Sequence, residues 1–555
     1  MSRFVPQVSS DHFRNLTSSD RAKSYLDAGW WENRTLAQVI AEHAANRGDS
    51  VAFYGDHGAT TWSAYDALST ALAKVLVAAG IKPGDRMAVW LPDSATVHIA
   101  FVAAEKAGIT IVGIGARAGE GELRYLLGKT GATSLLTLDR HRDQDMADLV
   151  ATLRSEGVEL GTHIVVPMFD ADPDAPMLVN GEPFDSTGIL LDPADAMGPD
   201  DLFMLNSTSG TTGMPKCVMH NQHRWFYFHQ KAAQHADLTG DDVFFGAVPA
   251  PFGFGLWTAH FTPAILGAPC VVRERFSADE TIQLIERHGV TMLGAVSTQF
   301  IMMLNSPEMG IRSLETLRVI FTGGEAVPTN RARAFEEQTG ATVLQFFGSN
   351  ETGLLTGTTL RDSFEQRVTT AGRVVPEMNV RLFDGPKDVT PGGTGQPGGR
   401  GPALCLGYLD DDAANDQLFT ADGWMLMGDI VTIDADGYLT VTGRTSDIII
   451  RGGKNISAVK VESEVSTHPS VALAAAVAAP DDVFGERVCV FVELKSGHSL
   501  GLDELQAYLL GSGTSKSDLP EHLVVLDQLP RASGGKVAKG QLKAGVTRYL
   551  TAVSG

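Results

Sequence analysis

The chain has 555 residues, enough for several domains of ordinary size, and 43% of them are hydrophobic while 20% are charged. This balance is typical of globular proteins and excludes disordered, fibrous and collagen-like chains. Because 66 acidic residues outweigh 44 lysines and arginines, the formal net charge is −22, which disfavours nucleic acid as a main partner.

The cysteines and the apolar runs indicate where the protein works. Its four cysteines, at positions 217, 270, 405 and 489, show no metal-ligand or redox spacing, which predicts reduced thiols in a cytoplasmic protein. The N-terminus lacks the apolar run of a signal peptide. The longest apolar stretch, at 471–479, has nine residues, too few to span a membrane. We therefore expect neither export nor a membrane span.

Over the first two thirds of the chain, short apolar runs alternate with segments of helical period. This pattern predicts parallel strands joined by crossover helices. The Gly- and Pro-rich run at 388–401 predicts only turns and loop, and it is a candidate subdomain border. The predicted strands are 86–91, 109–113, 202–205, 243–248, 290–296, 317–321 and 342–347, with a helix over 94–107.

The pattern changes after residue 443. A strand at 447–451, a helix at 459–466, two apolar strands at 471–479 and 488–494 and a helix at 502–510 predict a small α+β domain. We therefore expect an α/β protein with a large N-terminal domain of parallel-rich sheets and crossover helices, plus a small mobile C-terminal α+β domain. The predicted bounds are 1–443 for the first domain, 444–447 for a hinge and 448–555 for the second.

The segment STSGTTGMPK, at 207–216, directly follows a predicted strand. Glycines let backbone N–H groups converge, hydroxyls add donors and the lysine adds positive charge, so the segment suits a polyphosphate. Its spacing differs from that of the ordinary P-loop. The plainer alternative is a flexible polar loop. The predicted cradle comprises Thr208, Ser209, Gly210, Thr211, Thr212, Gly213 and Lys216.

Five segments together resemble the core motifs of the adenylate-forming superfamily, which includes acyl- and aryl-CoA synthetases and aryl-acid AMP ligases. In chain order they are STSGTTGMPK (207–216), FFGSNETG (346–353), GWMLMGDI (423–430), GRTSDIIIRGGKNIS (443–457) and PRASGGK (530–536). The resemblance implies two steps: a carboxylate attacks the α-phosphorus of ATP to give an acyl adenylate and pyrophosphate, and a thiol then displaces AMP. It also implies Mg²⁺ and CoA.

The resemblance assigns Lys536 to the carboxylate and the α-phosphate during adenylation, and Glu351, with Thr208, to Mg²⁺. The plainer alternatives are a surface lysine and a helix N-terminal glutamate. It assigns Asp429 to the ribose hydroxyls. The further residues implied for ATP binding are Gly324, Glu325, Ala326, Gln345, Phe346, Phe347, Gly348 and Arg444, and the phenylalanines have burial in the core as their alternative.

Three positions depart from the family pattern. The usual Tyr-Gly-x-Thr-Glu is Phe-Gly-Ser-Asn-Glu at 347–351, Met427 replaces a threonine, and Cys217 replaces a glycine. Because no base stands beside Cys217 in the sequence, we expect a small buried hydrophobe there.

The resemblance also implies a second pose of the small domain for the thiol step. Asp447 would be the hinge. Gly452, Gly453 and Lys454 would face the cleft and admit the pantetheine arm of CoA, with a tight turn as the alternative.

The implied acyl pocket contains aromatic residues. Its predicted lining is Phe252, Phe254, Trp257, Thr298, Thr322 and Gly323, although some of the aromatic side chains could belong to the core. Between residues 244 and 263 there is no Asp or Glu, which disfavours amino-acid substrates because a buried ammonium group needs a partner. The histidines at 220, 223, 229 and 260 lack zinc-site spacing, and one of them is a candidate lining residue.

The sequence therefore predicts an ATP-dependent acid:CoA ligase for a compact apolar carboxylic acid, aromatic or alicyclic. An aryl-acid AMP ligase that loads a carrier protein is the alternative enzyme. A non-catalytic binder of acyl-AMP or nucleotide is the alternative of another class, against which the presence of both Glu351 and Lys536 argues. The acid and the oligomeric state stay open, with a homodimer as one option.

Overall fold

The computed structural model describes residues 19–207, 215–324, 327–390, 392–444, 447–452, 454–516, 518–532 and 535–554. Two large sheets with crossover helices, a smaller antiparallel sheet and a separate C-terminal sheet make up these residues. The α/β class expected from the sequence is confirmed.

The nine-stranded sheet has six adjacent parallel strands at its centre and antiparallel strands at both edges. Parallel strands are buried on both faces, which explains the nearly continuous apolar runs. In spatial order its strands are Arg373–Val374, Gly353–Gly357, Thr342–Ser349, Val319–Gly323, Met292–Gly294, Phe244–Gly246, Cys270–Val271, Val51–Tyr54 and Ala59–Thr61.

The eight-stranded sheet has five adjacent parallel strands and ends in an antiparallel hairpin that flanks the predicted phosphate cradle. In spatial order its strands are Glu182–Pro183, Leu178–Val179, Thr162–Val165, Ser134–Thr137, Arg86–Trp90, Thr110–Gly113, Met204–Ser207 and Cys217–His220. A short hairpin, Arg140–His141 with Gln144–Asp145, stands apart.

Both sheets share one core and carry helices on their outer faces. Met87 and Val89 point into the shared core, whereas Ala88 and Trp90 contact the outer helices, as strand alternation requires. The helix Ala95–Lys106 is buried almost all round and lies in the shared core. The other helices of the large domain are Ser19–Asp27, Leu36–Arg47, Trp62–Ala78, Glu120–Thr130, Met146–Ser155, His223–Ala236, Gly253–Gly255, Leu256–Phe261 (a π-helix), Thr262–Leu266, Ala278–His288, Ser297–Leu304, Thr329–Thr339, Phe364–Thr369, Pro376–Met378 (3₁₀) and Asp412–Leu418.

The six-stranded antiparallel sheet corrects one expectation. The run at 388–401 is not only loop, because Thr394–Gly399 is a strand of this sheet. Its glycines permit close packing: a Cβ at Gly395 would lie 2.5 Å from the Phe383 carbonyl oxygen, and one at Gly399 would lie 2.5 Å from Leu355. The other strands are Lys387–Asp388, Arg381–Asp384, Met425–Leu426, Asp429–Ile433 and Leu439–Arg444.

The C-terminal region has its own sheet and its own apolar core. The predicted elements at 447–451, 459–466, 471–479, 488–494 and 502–510 are present with small shifts of their ends. Two further strands and the terminal helix were not predicted. The elements are Ile448–Arg451, Lys454–Ser457, Ala458–Val465, Val471–Asp481, Gly485–Leu494, Leu502–Gly511, His522–Val525 and Lys539–Ser554.

Among the helices of the described ranges, none combines the length and apolar character needed to cross a bilayer.

Candidate active site

The hairpin Met204–Ser207 with Cys217–His220 fixes the two ends of the predicted phosphate cradle, since Ser207 pairs with Cys217. The cradle residues 208–213 themselves lie outside the described residues. Lys216 is half-buried, and its Nζ lies 4.8 Å above the ring centroid of Tyr408. Cys217 is buried, and burial raises the pKa of its thiol to about 11, so this cysteine is the buried small side chain that was expected.

Glu351 stands in the turn between the strands Thr342–Ser349 and Gly353–Gly357. Because a strand and not a helix follows, the helix N-terminal alternative is wrong. The Tyr408 hydroxyl donates to Oε1 of Glu351 at 2.7 Å. The Cys405 N–H donates to the Glu351 carbonyl at 2.7 Å. The turn is therefore held through both its backbone and its side chain.

Tyr408 is a site residue that the sequence did not reveal. Its segment runs beside the strand Cys217–His220: the Leu406 N–H donates to the Met219 carbonyl and the Leu409 N–H to the Cys217 carbonyl, both at 2.9 Å. Burial and the neighbouring Glu351 raise the pKa of Tyr408, so its hydroxyl stays a donor. Tyr408 thus joins Lys216 to Glu351, although it is 57 residues from the latter.

Lys536 comes from the C-terminal domain and contacts the large domain. Its Nζ donates to the carbonyl of Gly324 at 2.8 Å, just beyond the strand Val319–Gly323. Gly324 and Gly535 have φ values of +78° and +86°, which a side chain would strain. The alternative of an ordinary surface lysine does not describe this contact. Glu325 and Ala326 lie outside the described residues.

Asp429 and Arg444 face each other on neighbouring antiparallel strands, with Arg444 Nε 3.1 Å from Asp429 Oδ1. Burial raises the pKa of Asp429, while the positive charges of Arg444 and Lys536 act in the opposite direction. The small domain's lysine therefore contributes to the potential at this carboxylate.

Residues 345–348 do not all face one site. Gln345 donates from Nε2 to the Arg367 carbonyl at 2.6 Å. Phe346 and Phe347 point to opposite faces of their strand, because side chains alternate. Phe346 packs against Trp257, with ring centroids 5.4 Å apart, and only Phe347 adjoins the six-stranded sheet. A Cβ at Gly348 would collide with the Gly353 carbonyl.

Two of the predicted acyl-pocket residues, Phe254 and Trp257, belong to an aromatic cluster. Trp257 is 2% exposed, and its ring centroid is 5.4 Å from that of Phe254 and 5.2 Å from that of Phe321. Phe252 and Phe254 are half-buried, whereas Thr298, Thr322 and Gly323 are buried. In the part of the chain that the structure describes, Oγ1 of Thr322 is buried without a hydrogen-bond partner.

The predicted hinge and CoA residues lie at the start of the small domain. Asp447 is 3.5 Å from Lys539 Nζ. Gly452 has φ +55°, and its N–H donates to the Phe484 carbonyl at 2.8 Å. Lys454 pairs with Asp518 at 2.9 Å. Gly453 lies outside the described residues.

Two family signatures match the chain: the AMP-binding enzyme over residues 40–409 and the AMP-binding enzyme C-terminal domain over residues 460–536. The chain belongs to the AMP-binding enzyme family. The resemblance inferred from the five motifs is thereby confirmed.

Individual members of the AMP-binding enzyme family match over almost the whole chain. It is 32% identical to the medium-chain fatty-acid–CoA ligase of Escherichia coli (strain K12), over 96% of this chain and 94% of the relative. It is also 32% identical to the salicyl-AMP ligase / salicyl-S-ArCP synthetase of Mycobacterium tuberculosis, over 94% and 92%. The crystal structure of an anthranilate CoA ligase with anthranoyl-AMP has a TM-score of 0.82 at 22% identity, covering 94% and 98%, and thus shares the fold.

Proposed function

We propose that the protein is an AMP-forming acid:CoA ligase, which converts a compact apolar carboxylic acid and ATP into an acyl adenylate and then into a CoA thioester. The observation that carries the proposal is the reach of Lys536 from the small domain to Gly324 of the large domain, 2.8 Å from Nζ to the carbonyl oxygen. A lysine that crosses between domains to a glycine turn, and whose charge also acts on Asp429, is suited to a reacting phosphate.

In the first step the substrate carboxylate attacks the α-phosphorus and pyrophosphate leaves. We assign Lys536 and Lys216 to the negative charge that develops on the phosphate oxygens. The cradle 208–213 would add backbone and hydroxyl donors, and Asp429 would accept from the ribose hydroxyls. The adenine would lie along the turn that Gly324 begins, on the side of Phe347.

Glu351 suits a magnesium ion that is shared with the nucleotide. Mg²⁺ commonly takes one or two protein carboxylates together with substrate phosphates. Tyr408 donates to Oε1 of Glu351, and its ring lies against Lys216 at the end of the predicted cradle. When bound, Mg²⁺ would neutralise charge on the phosphate oxygens. The residues present therefore fit the ion.

The aromatic residues of the predicted acyl pocket favour a compact acid. Trp257, Phe321 and Phe346 have ring centroids between 4.6 and 5.4 Å apart, so bulky side chains pack closely together at the predicted pocket. An apolar lining without acidic groups between residues 244 and 263 favours an uncharged ring or a short chain.

For the second step we propose that the small domain, 448–555, turns about 444–447 relative to 1–443, with Asp447 as the hinge. This turn would withdraw Lys536 and bring 452–454 to the cleft. The relative from Escherichia coli is named a CoA ligase and the one from Mycobacterium tuberculosis an S-ArCP synthetase, so a carrier protein is the alternative acceptor. The expected cytoplasmic location remains a prediction.

The experiment compares wild type, Lys536→Ala and Lys543→Ala, the last being an exposed lysine of the terminal helix. Pyrophosphate release is measured with ATP, Mg²⁺ and a panel of benzoic, cyclohexane and short aliphatic acids. We expect Lys536→Ala to lose about 100-fold or more of the rate and Lys543→Ala to keep it. Unchanged release in Lys536→Ala would overturn the chemistry, and absence of thioester with free CoA would favour a carrier protein.

A further inference from the structure

Arg224 lies under the turn that carries Glu351. It is the second residue of the helix His223–Ala236, is 2% exposed and has no acidic side chain among its hydrogen-bond acceptors in the described part of the chain. Its guanidinium donates to the Asn350 carbonyl at 2.9 Å and to the Glu351 carbonyl at 3.4 Å. A buried arginine that donates hydrogen bonds to two successive carbonyls holds the backbone of that turn in place.

The arginine also sets the direction of every hydrogen bond in the network. A guanidinium only donates, so Nδ1 of His220, 2.7 Å from Nη1 of Arg224, must accept. Nε2 of His220 then carries the proton and donates to Oδ1 of Asn206 at 2.8 Å. Burial lowers the pKa of His220 well below its usual value, which agrees with a neutral ring.

Asn206 connects the turn to the acyl pocket. Its Oδ1 also accepts from Nδ2 of Asn350 at 2.6 Å, and its Nδ2 donates to the Pro251 carbonyl at 2.9 Å. Asn206 is on the strand that enters the phosphate cradle, and Pro251 precedes the aromatic pocket residues. One residue of the strand that enters the cradle thus contacts two further parts of the site.

Two glycines leave room for this network. A Cβ at Gly353, where φ is +63°, would lie 3.0 Å from Nη2 of Arg224 and 2.5 Å from the Ala403 carbonyl. A Cβ at Gly253 would lie 3.0 Å from Oδ1 of Asn350. Close packing therefore prevents the turn from shifting toward either neighbour.

We propose that Arg224, Asn206 and Asn350 are positioning residues, which hold the Glu351 turn at a fixed place relative to both the phosphate cradle and the acyl-pocket segment at Pro251. This inference rests on the proposed function. Asn350 stands where the family pattern usually has a threonine, which carries no amide that could pair with Asn206. Through the hydrogen bonds of Asn206 and Asn350, the same side chains position the proposed Mg²⁺–ATP site and the proposed acid site.

The test variant is Asn350→Leu, which keeps a similar volume at a half-buried position. It removes both side-chain hydrogen bonds with Asn206, the 2.6 Å bond from Asn350 Nδ2 and the 3.3 Å bond that Asn206 Nδ2 donates to Asn350 Oδ1. We expect the Mg²⁺ concentration for half-maximal pyrophosphate release to rise about tenfold, and ATP binding in the presence of Mg²⁺, measured by calorimetry without acid, to weaken by a similar factor. Binding of ATP in EDTA should change little. Asn350→Thr, which retains a hydroxyl donor, should recover part of the loss.

Arg224→Met is the stronger variant, and Arg318→Met is its control. Arg318 pairs with Asp242 at 2.8 Å and lies just before the strand Val319–Gly323, at the end away from Gly324. Both arginine variants should lower the melting temperature, but only Arg224→Met should change the Mg²⁺ dependence. Wild-type Mg²⁺ dependence in Asn350→Leu overturns the inference, whether or not Arg224→Met folds. If the wild-type protein releases no pyrophosphate with any acid, the proposed function is overturned instead. The calorimetric comparison of wild type with Asn350→Leu then still tests the positioning role.

Discussion

Removing the hydroxyl of Tyr408 tests the least expected contact of the site. In wild type this hydroxyl donates to Oε1 of Glu351 at 2.7 Å, and Nζ of Lys216 lies 4.8 Å from the centroid of the same ring. Tyr408→Phe keeps the ring and its contact with Lys216 but leaves the carboxylate of Glu351 without this donor. The change therefore isolates one hydrogen bond to a charged group.

The size of the effect follows from the exposure of the two partners. A hydrogen bond to a charged group contributes about 1.5–3 kcal/mol, which corresponds to a factor of about 10 to 150 in rate. Tyr408 is 7% exposed, but Glu351 is only half-buried, so water can replace part of the lost bond. We therefore expect kcat/KM for Mg²⁺–ATP to fall about tenfold and the free energy of unfolding to fall by about 1 kcal/mol.

The chain offers a matched control in Tyr438. Its hydroxyl donates to Oδ1 of Asp362 at 2.5 Å, and the guanidinium carbon of Arg373 lies 5.0 Å from its ring centroid. Tyr438→Phe should lower stability by a similar amount and leave pyrophosphate release unchanged. If both variants lose activity equally, or if Tyr408→Phe stays within about twofold of wild type, the role given to Tyr408 is wrong.

Three further variants test the interior. Burial raises the pKa of Asp93 to about 8, whereas the unfolded chain releases this proton near pH 4. Wild-type stability should therefore fall between about pH 4 and 8 by at most about 1.4 kcal/mol per pH unit. Denaturant unfolding of Asp93→Asn should lack this slope, and a stability curve parallel to that of wild type would contradict the prediction. Trp257→Leu should shift kcat/KM about tenfold toward bulkier ring acids in the acid panel, whereas Trp62→Leu, equally buried elsewhere, should not. Lys539→Met should destabilise the protein by about 3 kcal/mol in thermal unfolding, because the carboxylate of Glu462, 2.6 Å from Lys539 Nζ, loses its positive partner. Adding Glu462→Gln should restore most of the lost stability. A double variant without such recovery would contradict the pairing.

The central strands were predictable because burial on both faces leaves an apolar run in the sequence. The predicted run at 342–347 became Thr342–Ser349, and that at 317–321 became Val319–Gly323. The strand Thr394–Gly399 was not predicted because close neighbours such as Phe383 leave room only for glycine. A strand built from such glycines has no alternation of apolar and polar residues in its sequence.

The candidate site was predictable where short motifs carry its chemistry. The motifs single out Glu351 and Lys536 as candidates, and Lys536 does reach the large domain. The motif predicts that Phe346 and Phe347 both face the nucleotide, but strand alternation sends the Phe346 ring toward Trp257 and the Phe347 ring to the opposite face.

The sequence alone determined the family, the alternation of strands and helices, and the motifs that supply phosphate-binding groups, since these depend on local order and spacing. Tertiary structure alone decided that Tyr408 meets Glu351, that Arg224 lies beneath the same turn and that Lys536 contacts Gly324. The residues of these three contacts are 57, 127 and 212 positions apart in the chain, in that order. Such pairs are brought together by the packing of sheets and domains, which no local pattern in the chain encodes.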